Sequence, residues 1–165
     1  MKIIFLDIDG VINSAFDWVP MSERGTTDFN STLWDVHDLM PKYIARLNEI
    51  IDATDAKVVI SSSWRIQYKH SEIESMLKQQ GFVGDVIGET PVFSQTPDGD
   101  RGDEIKFWLN THDDIDAFVI LDDIDFDGIV ANFYTQFVHI KKSTGLLPKH
   151  IEKAIKILNA TDTSS

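Results

Sequence analysis

The stretch Lys2-Ile3-Ile4-Phe5-Leu6-Asp7-Ile8-Asp9-Gly10-Val11-Ile12 constrains this chain more than any other. Residues 3–6 are an unbroken apolar run that reads as a buried strand. Two carboxylates at alternate positions follow it, and Gly10 lets the backbone turn sharply. In an extended chain, side chains two apart point the same way, so Asp7 and Asp9 are expected to face one crevice at the strand's carboxyl end. Ligands of open α/β sheets bind there. Like charges held that close repel, and a cation relieves the repulsion. The plainer alternative is a strand that stops at an Asp-Gly turn.

Composition narrows the class. A chain of 165 residues can bury the core of one domain. It has no cysteine, which excludes disulfides and thiolate chemistry and fits a reducing cytoplasm. The opening residues imitate a signal peptide until Asp7 and Asp9 interrupt it, and no apolar run reaches membrane-spanning length. The net charge of −12, from 15 basic and 27 acidic residues, opposes broad attraction to a phosphate polymer. A small phosphorylated substrate stays compatible with it, because one metal and a few cations can dominate a pocket.

Strand and helix signals alternate along the chain. After the strand at 2–6 and a polar segment at about 13–39, Pro41 opens a helix with Ile44, Leu47, Ile50 and Ile51 on one side. Lys57–Ile60 reads as a strand leading into Ser61-Ser62-Ser63-Trp64-Arg65. Ser71 and Glu74 resemble a capping box for a helix carrying Ile73, Met76 and Leu77 and ended by Gly81. A third strand is expected near 84–88, a loop over 90–100, and a helix over 102–110 with Ile105, Trp108 and Leu109 inward. Ala117–Leu121 is a buried strand ending in Asp122-Asp123, and residues 137–140 are the last strand. Pro148 opens a final helix with Ile151, Ala154, Ile155 and Leu158 on one face, before a polar tail at 159–165. The alternation implies one domain over 1–158 with a mostly parallel sheet and helices on both faces. Three strand ends then bring together Asp7/Asp9, the serines and Asp122/Asp123.

These groups suit phosphoryl chemistry. A carboxylate can attack phosphorus and form an aspartyl-phosphate, provided charge is neutralised first. Mg²⁺ meets that need with carboxylate, water and substrate oxygens. Hydroxyl and amide donors hold phosphoryl oxygens, a basic group offsets developing charge, and a second carboxylate moves the proton.

Asp7-x-Asp9-Gly10-Val11, a strand ending in serines, a basic residue before a helix, and strand-Asp122-Asp123 resemble the four motifs of the haloacid dehalogenase (HAD) superfamily. Ser61-Ser62-Ser63-Trp64-Arg65, Arg101-Gly102-Asp103-Glu104-Ile105 with Trp108-Leu109, Leu121-Asp122-Asp123 and Thr144-Gly145-Leu146 are similar to the HAD domains of Swiss Army Knife RNA repair proteins. The resemblance implies a Rossmann-like HAD fold with a minimal cap, only a flap over about 13–39. It implies a Mg²⁺-dependent phosphatase acting on phosphomonoesters. Asp7 would be nucleophile and metal ligand. Asp9 would be general acid/base, its main-chain carbonyl also on the metal. Ser62 would bind phosphate, with Ser61 as competitor and Ser63 as a further donor. Arg101 stands where the family more often has lysine, with Lys106 as fallback. Asp123 would complete the metal shell, with Asp122 close by as a metal ligand or water holder.

Several residues have blander readings. Asp125 and Asp127 read as turn acids, and Trp64 and Trp108 as core. Arg65 either reaches the pocket rim or is solvated. The five histidines lack paired ligand spacing, and no phosphate-binding Gly-rich loop or Gly-x-Ser-x-Gly elbow is present. Asp17, Trp18, Arg24 and Trp34 are flap candidates for substrate contact. The expected partner is a phosphorylated substrate, a small molecule or a nucleic-acid end, with no membrane and no stable protein partner. The alternatives are a metabolite or phosphoprotein phosphatase, or a catalytically silent relative. A nucleic-acid substrate would need a basic rim from Arg24, Arg65, Lys69 and Arg101.

Overall fold

The N-terminal apolar run becomes the middle strand of a five-stranded sheet. In the computed structural model, which describes residues 1–15, 38–93, 101–124 and 127–160, the strands are β1 (Lys2–Leu6), β2 (Lys57–Ile60), β3 (Val86–Glu89), β4 (Ala117–Asp122) and β5 (Phe137–His139). Their order is β3-β2-β1-β4-β5. Every pairing is parallel, with Leu6 opposite both Ile60 and Leu121. Strand order reverses at β1, and a crevice forms at such a point because the connections leave in opposite directions.

The helices are α1 (Pro41–Thr54), α2 (His70–Gln79), α3 (Arg101–Asn110), α4 (Asp127–Phe133) and α5 (Pro148–Asn159). Ile4, Leu6, Val58, Ile60, Val119 and Leu121 pack on one face in a cluster with Ile44 and Leu47 of α1 and Ile151 and Leu158 of α5. Ile3, Phe5, Val59 and Ile120 pack on the other with Ile105 and Trp108 of α3 and Ile129 and Phe133 of α4. Both faces of β1 are therefore dry, which is why its sequence is continuously apolar rather than alternating. Truncating a fully buried residue such as Ile4 to alanine costs about 2–5 kcal/mol at a site of this kind.

The expected elements form, with shifted edges. α2 begins at His70, because the Glu72 carboxylate accepts the Lys69 N–H at 2.8 Å and caps the helix two residues earlier than a Ser71 box. Glu74 instead accepts the Val86 N–H at 3.1 Å and ties α2 to β3. Helix α4 has no counterpart in the sequence reading; among its described side chains only Ile129 and Phe133 are buried, too little periodicity to signal a helix. The acid doublet closes β4, since Asp122 still belongs to the strand. Among the described residues no helix is long and apolar enough to cross a membrane.

Helix α5 carries a titratable cap. The Leu147 N–H donates to His150 Nδ1 at 2.9 Å, so this imidazole must be neutral to serve. Burial, then Lys149 and Lys153, lower its pKa from 6.5 to about 4. Above pH 6.5 both folded and unfolded chains hold a neutral His150, and its contribution is complete. Between 6.5 and 4 only the unfolded chain takes the proton, so stability is lost as pH falls through that window. His150→Gln, which keeps an acceptor, should show a smaller loss of urea stability than wild type between pH 7 and pH 4.

Candidate active site

The site is assembled from strand ends in one register. The Asp7 N–H donates to the Leu121 carbonyl and the Ser61 N–H to the Leu6 carbonyl, each at 3.0 Å. Asp7 therefore lies between Ser61 and Asp122. All three continue the pleat face of Phe5, Val59 and Ile120, the face covered by α3 and α4. Arg101 is the first residue of α3 and faces the same row. Gly102, next to it, is where α3 meets α4: a Cβ there would lie 2.7 Å from the Gly128 carbonyl.

One carboxylate oxygen from each of Asp7, Asp122 and Asp123 lies within 4.8 Å of the others. Arg101 is the cation among them, its Nη1 2.7 Å from Asp122 Oδ2 and 3.4 Å from Asp7 Oδ2. Asp122 is fully buried, and its other oxygen accepts the Ile124 N–H at 2.9 Å. Burial first, then the Asp7 charge, raise its pKa well above the usual carboxylate range against the pull of Arg101. Burial and the neighbouring Asp7 push Asp123 up to about 7. Burial works against the Arg101 charge, yet Asp7 and Asp122 outweigh it and raise its pKa. Among the described residues these three acids crowd around one guanidinium, a deficit of positive charge. An octahedral divalent ion spaces its oxygens about 3–4 Å apart, so modest closure of these carboxylates fits one ion. The donor set is all oxygen, which suits a hard cation.

Asp9 is placed by a turn rather than by the strand, and the Asp7 charge still acts on its carboxylate. Strand β1 ends at Leu6, and the chain has begun to turn, with the Ile12 N–H bonded to the Ile8 carbonyl at 2.8 Å. The Asp9 carboxylate accepts from Asn13 Nδ2 at 3.0 Å and from Trp64 Nε1 at 3.3 Å, and it lies outside the three-acid group. Burial raises its pKa, partly offset by Asn13. Asn13 also accepts the Gly10 N–H at 2.8 Å. Gly10 has φ +78°, and a Cβ on it would lie 2.5 Å from Asp123 Oδ2. The turn is built to pass against that acid.

The serines divide their work. Ser62 Oγ accepts the Trp64 N–H at 3.3 Å and caps a 3-10 turn over Ser63–Ile66. Ser61 Oγ is buried and has no hydrogen-bond partner among the described residues. Ser63 is half-buried. Arg101 is buried at the site, whereas Lys106 is exposed. Arg65 is neither rim nor solvated. Its side chain is 5% exposed and pairs with the equally buried Glu104. Burial lowers its pKa, with Glu104 opposing. Two members of the anticipated basic rim, Arg65 and Arg101, are thus inside ion pairs. Asp17, Trp18, Arg24 and Trp34, the whole expected flap core, and Asp125 lie outside the described residues, as do 161–165. Asp127 starts α4. Sequence reasoning missed Asn13 and Glu104. A polar residue four after Asp9 was a usable signal for the first; nothing local signals the second.

Residues 3–151 match the family model described as the HAD domain in Swiss Army Knife RNA repair proteins. The chain belongs to this family. The HAD assignment accounts for the all-parallel sheet and supports a hydrolase of the HAD superfamily. No curated protein matches the chain. No solved structure matches it either.

The Gly10 contact is testable. Gly10→Ala should cost about 1–3 kcal/mol in urea unfolding, because the left-handed backbone and the Asp123 carboxylate both resist a Cβ.

Proposed function

We propose that this HAD domain is a Mg²⁺-dependent phosphomonoester hydrolase acting through an aspartyl-phosphate on Asp7. The observation that carries the reading is the convergence of Asp7, Asp122 and Asp123 around one buried guanidinium. Asp7, Asp122 and Asp123, with the Asp9 carbonyl, would hold the ion. Bound there, Mg²⁺ supplies positive charge that lets an anionic nucleophile meet an anionic phosphate.

Asp7 attacks phosphorus, the bond to the leaving oxygen breaks, and Asp9 gives that oxygen its proton. Water then attacks the same phosphorus while Asp9 takes a proton from it, which releases inorganic phosphate and the free Asp7 carboxylate. A raised pKa, caused by burial, suits Asp9 to carrying that proton. Trp64 and Asn13 fix its carboxylate. Arg101 offsets charge on the nucleophile side. For the phosphate-holding hydroxyl we favour Ser61 over Ser62, because its hydroxyl is unpartnered and on the pleat face of Asp7, while that of Ser62 serves as a cap.

The family's association with RNA repair proteins makes a nucleotide or nucleic-acid terminal phosphate the first substrate class. The net charge of −12 and the internal pairing of Arg65 and Arg101 favour short phosphorylated molecules over long polymers. A small-metabolite substrate is the second reading for the same reason.

Purified protein with Mg²⁺ should release phosphate from an aryl phosphate, and Asp7→Asn should reduce kcat by about 10³-fold or more while its circular dichroism shows the fold retained. Retained activity in that variant ends the assignment. A panel of mononucleotides, 3′- and 5′-phosphorylated oligonucleotides and sugar phosphates separates the substrate readings. The serines should also separate: Ser61→Ala should lower kcat/KM by about 10–100-fold. Ser62→Ala should instead cost about 1 kcal/mol of unfolding free energy through its lost cap.

A further inference from the structure

The guanidinium of Arg65 has five N–H groups, and all five are placed. Its Nε donates to the Thr90 carbonyl at 3.1 Å, and Nη1 donates to the Ser61 and Ser62 carbonyls at 2.9 and 2.6 Å. Nη2 reaches the Pro91 carbonyl at 3.4 Å and Glu104 Oε2. The other Glu104 oxygen accepts the Phe93 N–H at 2.9 Å. Glu104 is on α3, one turn after Arg101. One buried ion pair thus joins the serine loop, the segment after β3 and the helix that presents Arg101.

The orientation of the serine loop follows from this. In a trans peptide unit the carbonyl and the N–H point opposite ways. With the Ser61 and Ser62 carbonyls held by Arg65, the N–H groups of Ser62 and Ser63 face away from it. Neither N–H has an acceptor among the described residues, and the Ser61 hydroxyl is buried and unpartnered. Three donors on one short loop are left for an anion.

We infer that Arg65 and Glu104 are a positioning pair, setting the Ser61–Ser63 donors against the substrate phosphate while fixing α3 and Arg101 opposite them. The inference rests on the phosphatase reading and adds two residues that touch no substrate. Lysine offers three N–H groups where five acceptors wait. Glutamine at 104 turns one of two accepting atoms into a donor.

Arg65→Lys, Glu104→Gln and the milder Glu104→Asp are compared with wild type on a series of aryl phosphates of differing leaving group, below every melting midpoint. Leu77→Ala, in the core on the opposite sheet face, controls for lost stability. Arg65→Lys and Glu104→Gln should lower kcat/KM by about 10–100-fold, and by one factor for every leaving group. Competitive inhibition by inorganic phosphate should weaken in parallel, Glu104→Asp should be intermediate, and Leu77→Ala should keep wild-type kinetics. Wild-type kcat/KM in the pair variants, or an equal fall in Leu77→Ala, overturns the positioning role alone. A wild-type protein inert on the whole series overturns the phosphatase reading beneath it.

Discussion

The site depends on one electrostatic shortage: among the described residues, the carboxylates of Asp7, Asp122 and Asp123 crowd around one guanidinium, Arg101, while the charges of Lys142 and Arg65 act without an ion pair to them. Charges out of water are expensive unless paired, and breaking such a pair is costlier still. Hydrophobic layers on both faces of β1 and β4 fix the backbones that carry these acids, so the groups cannot relax apart. The fold therefore holds an arrangement that its isolated components would avoid. Raised pKa values at Asp122 and Asp123, both driven first by burial, are the signature of that constraint.

The architecture was legible because its signals are local. Residues 3–6, 57–60 and 117–121 are short apolar runs, and one-sided apolar stripes follow the prolines at 41 and 148. Asp7, Asp122 and Asp123 were legible for the same reason, each standing where a buried strand runs out. What stayed hidden depends on packing between segments. The contact of Asp9 with Trp64 joins positions far apart in sequence, and so does that of Arg65 with Glu104. No spacing rule encodes either. Asp9 is held by Asn13 and Trp64 instead of by strand alternation, because β1 ends before it, and the seven residues of α4 carry too few apolar positions to advertise a helix.

Helix α3 is held at several points that all bear on its first turn. Gly102 seats it against Gly128 of α4, Ile105 and Trp108 enter the core, and Glu104 grips Arg65. Arg101 is thereby delivered to the acids by a rigid element. A basic side chain on a loop would have more rotamers to lose on engaging them.

The parallel register of β2, β1 and β4 has a wider consequence. It lines up Ser61, Asp7 and Asp122, residues drawn from the beginning, middle and latter part of the chain, across three neighbouring strands. Any molecule gripping that row acts as a staple across the heart of the sheet. Saturating the crevice should then slow the opening of backbone amides throughout β1 and its neighbours, since those strands could no longer separate without first letting the occupant go.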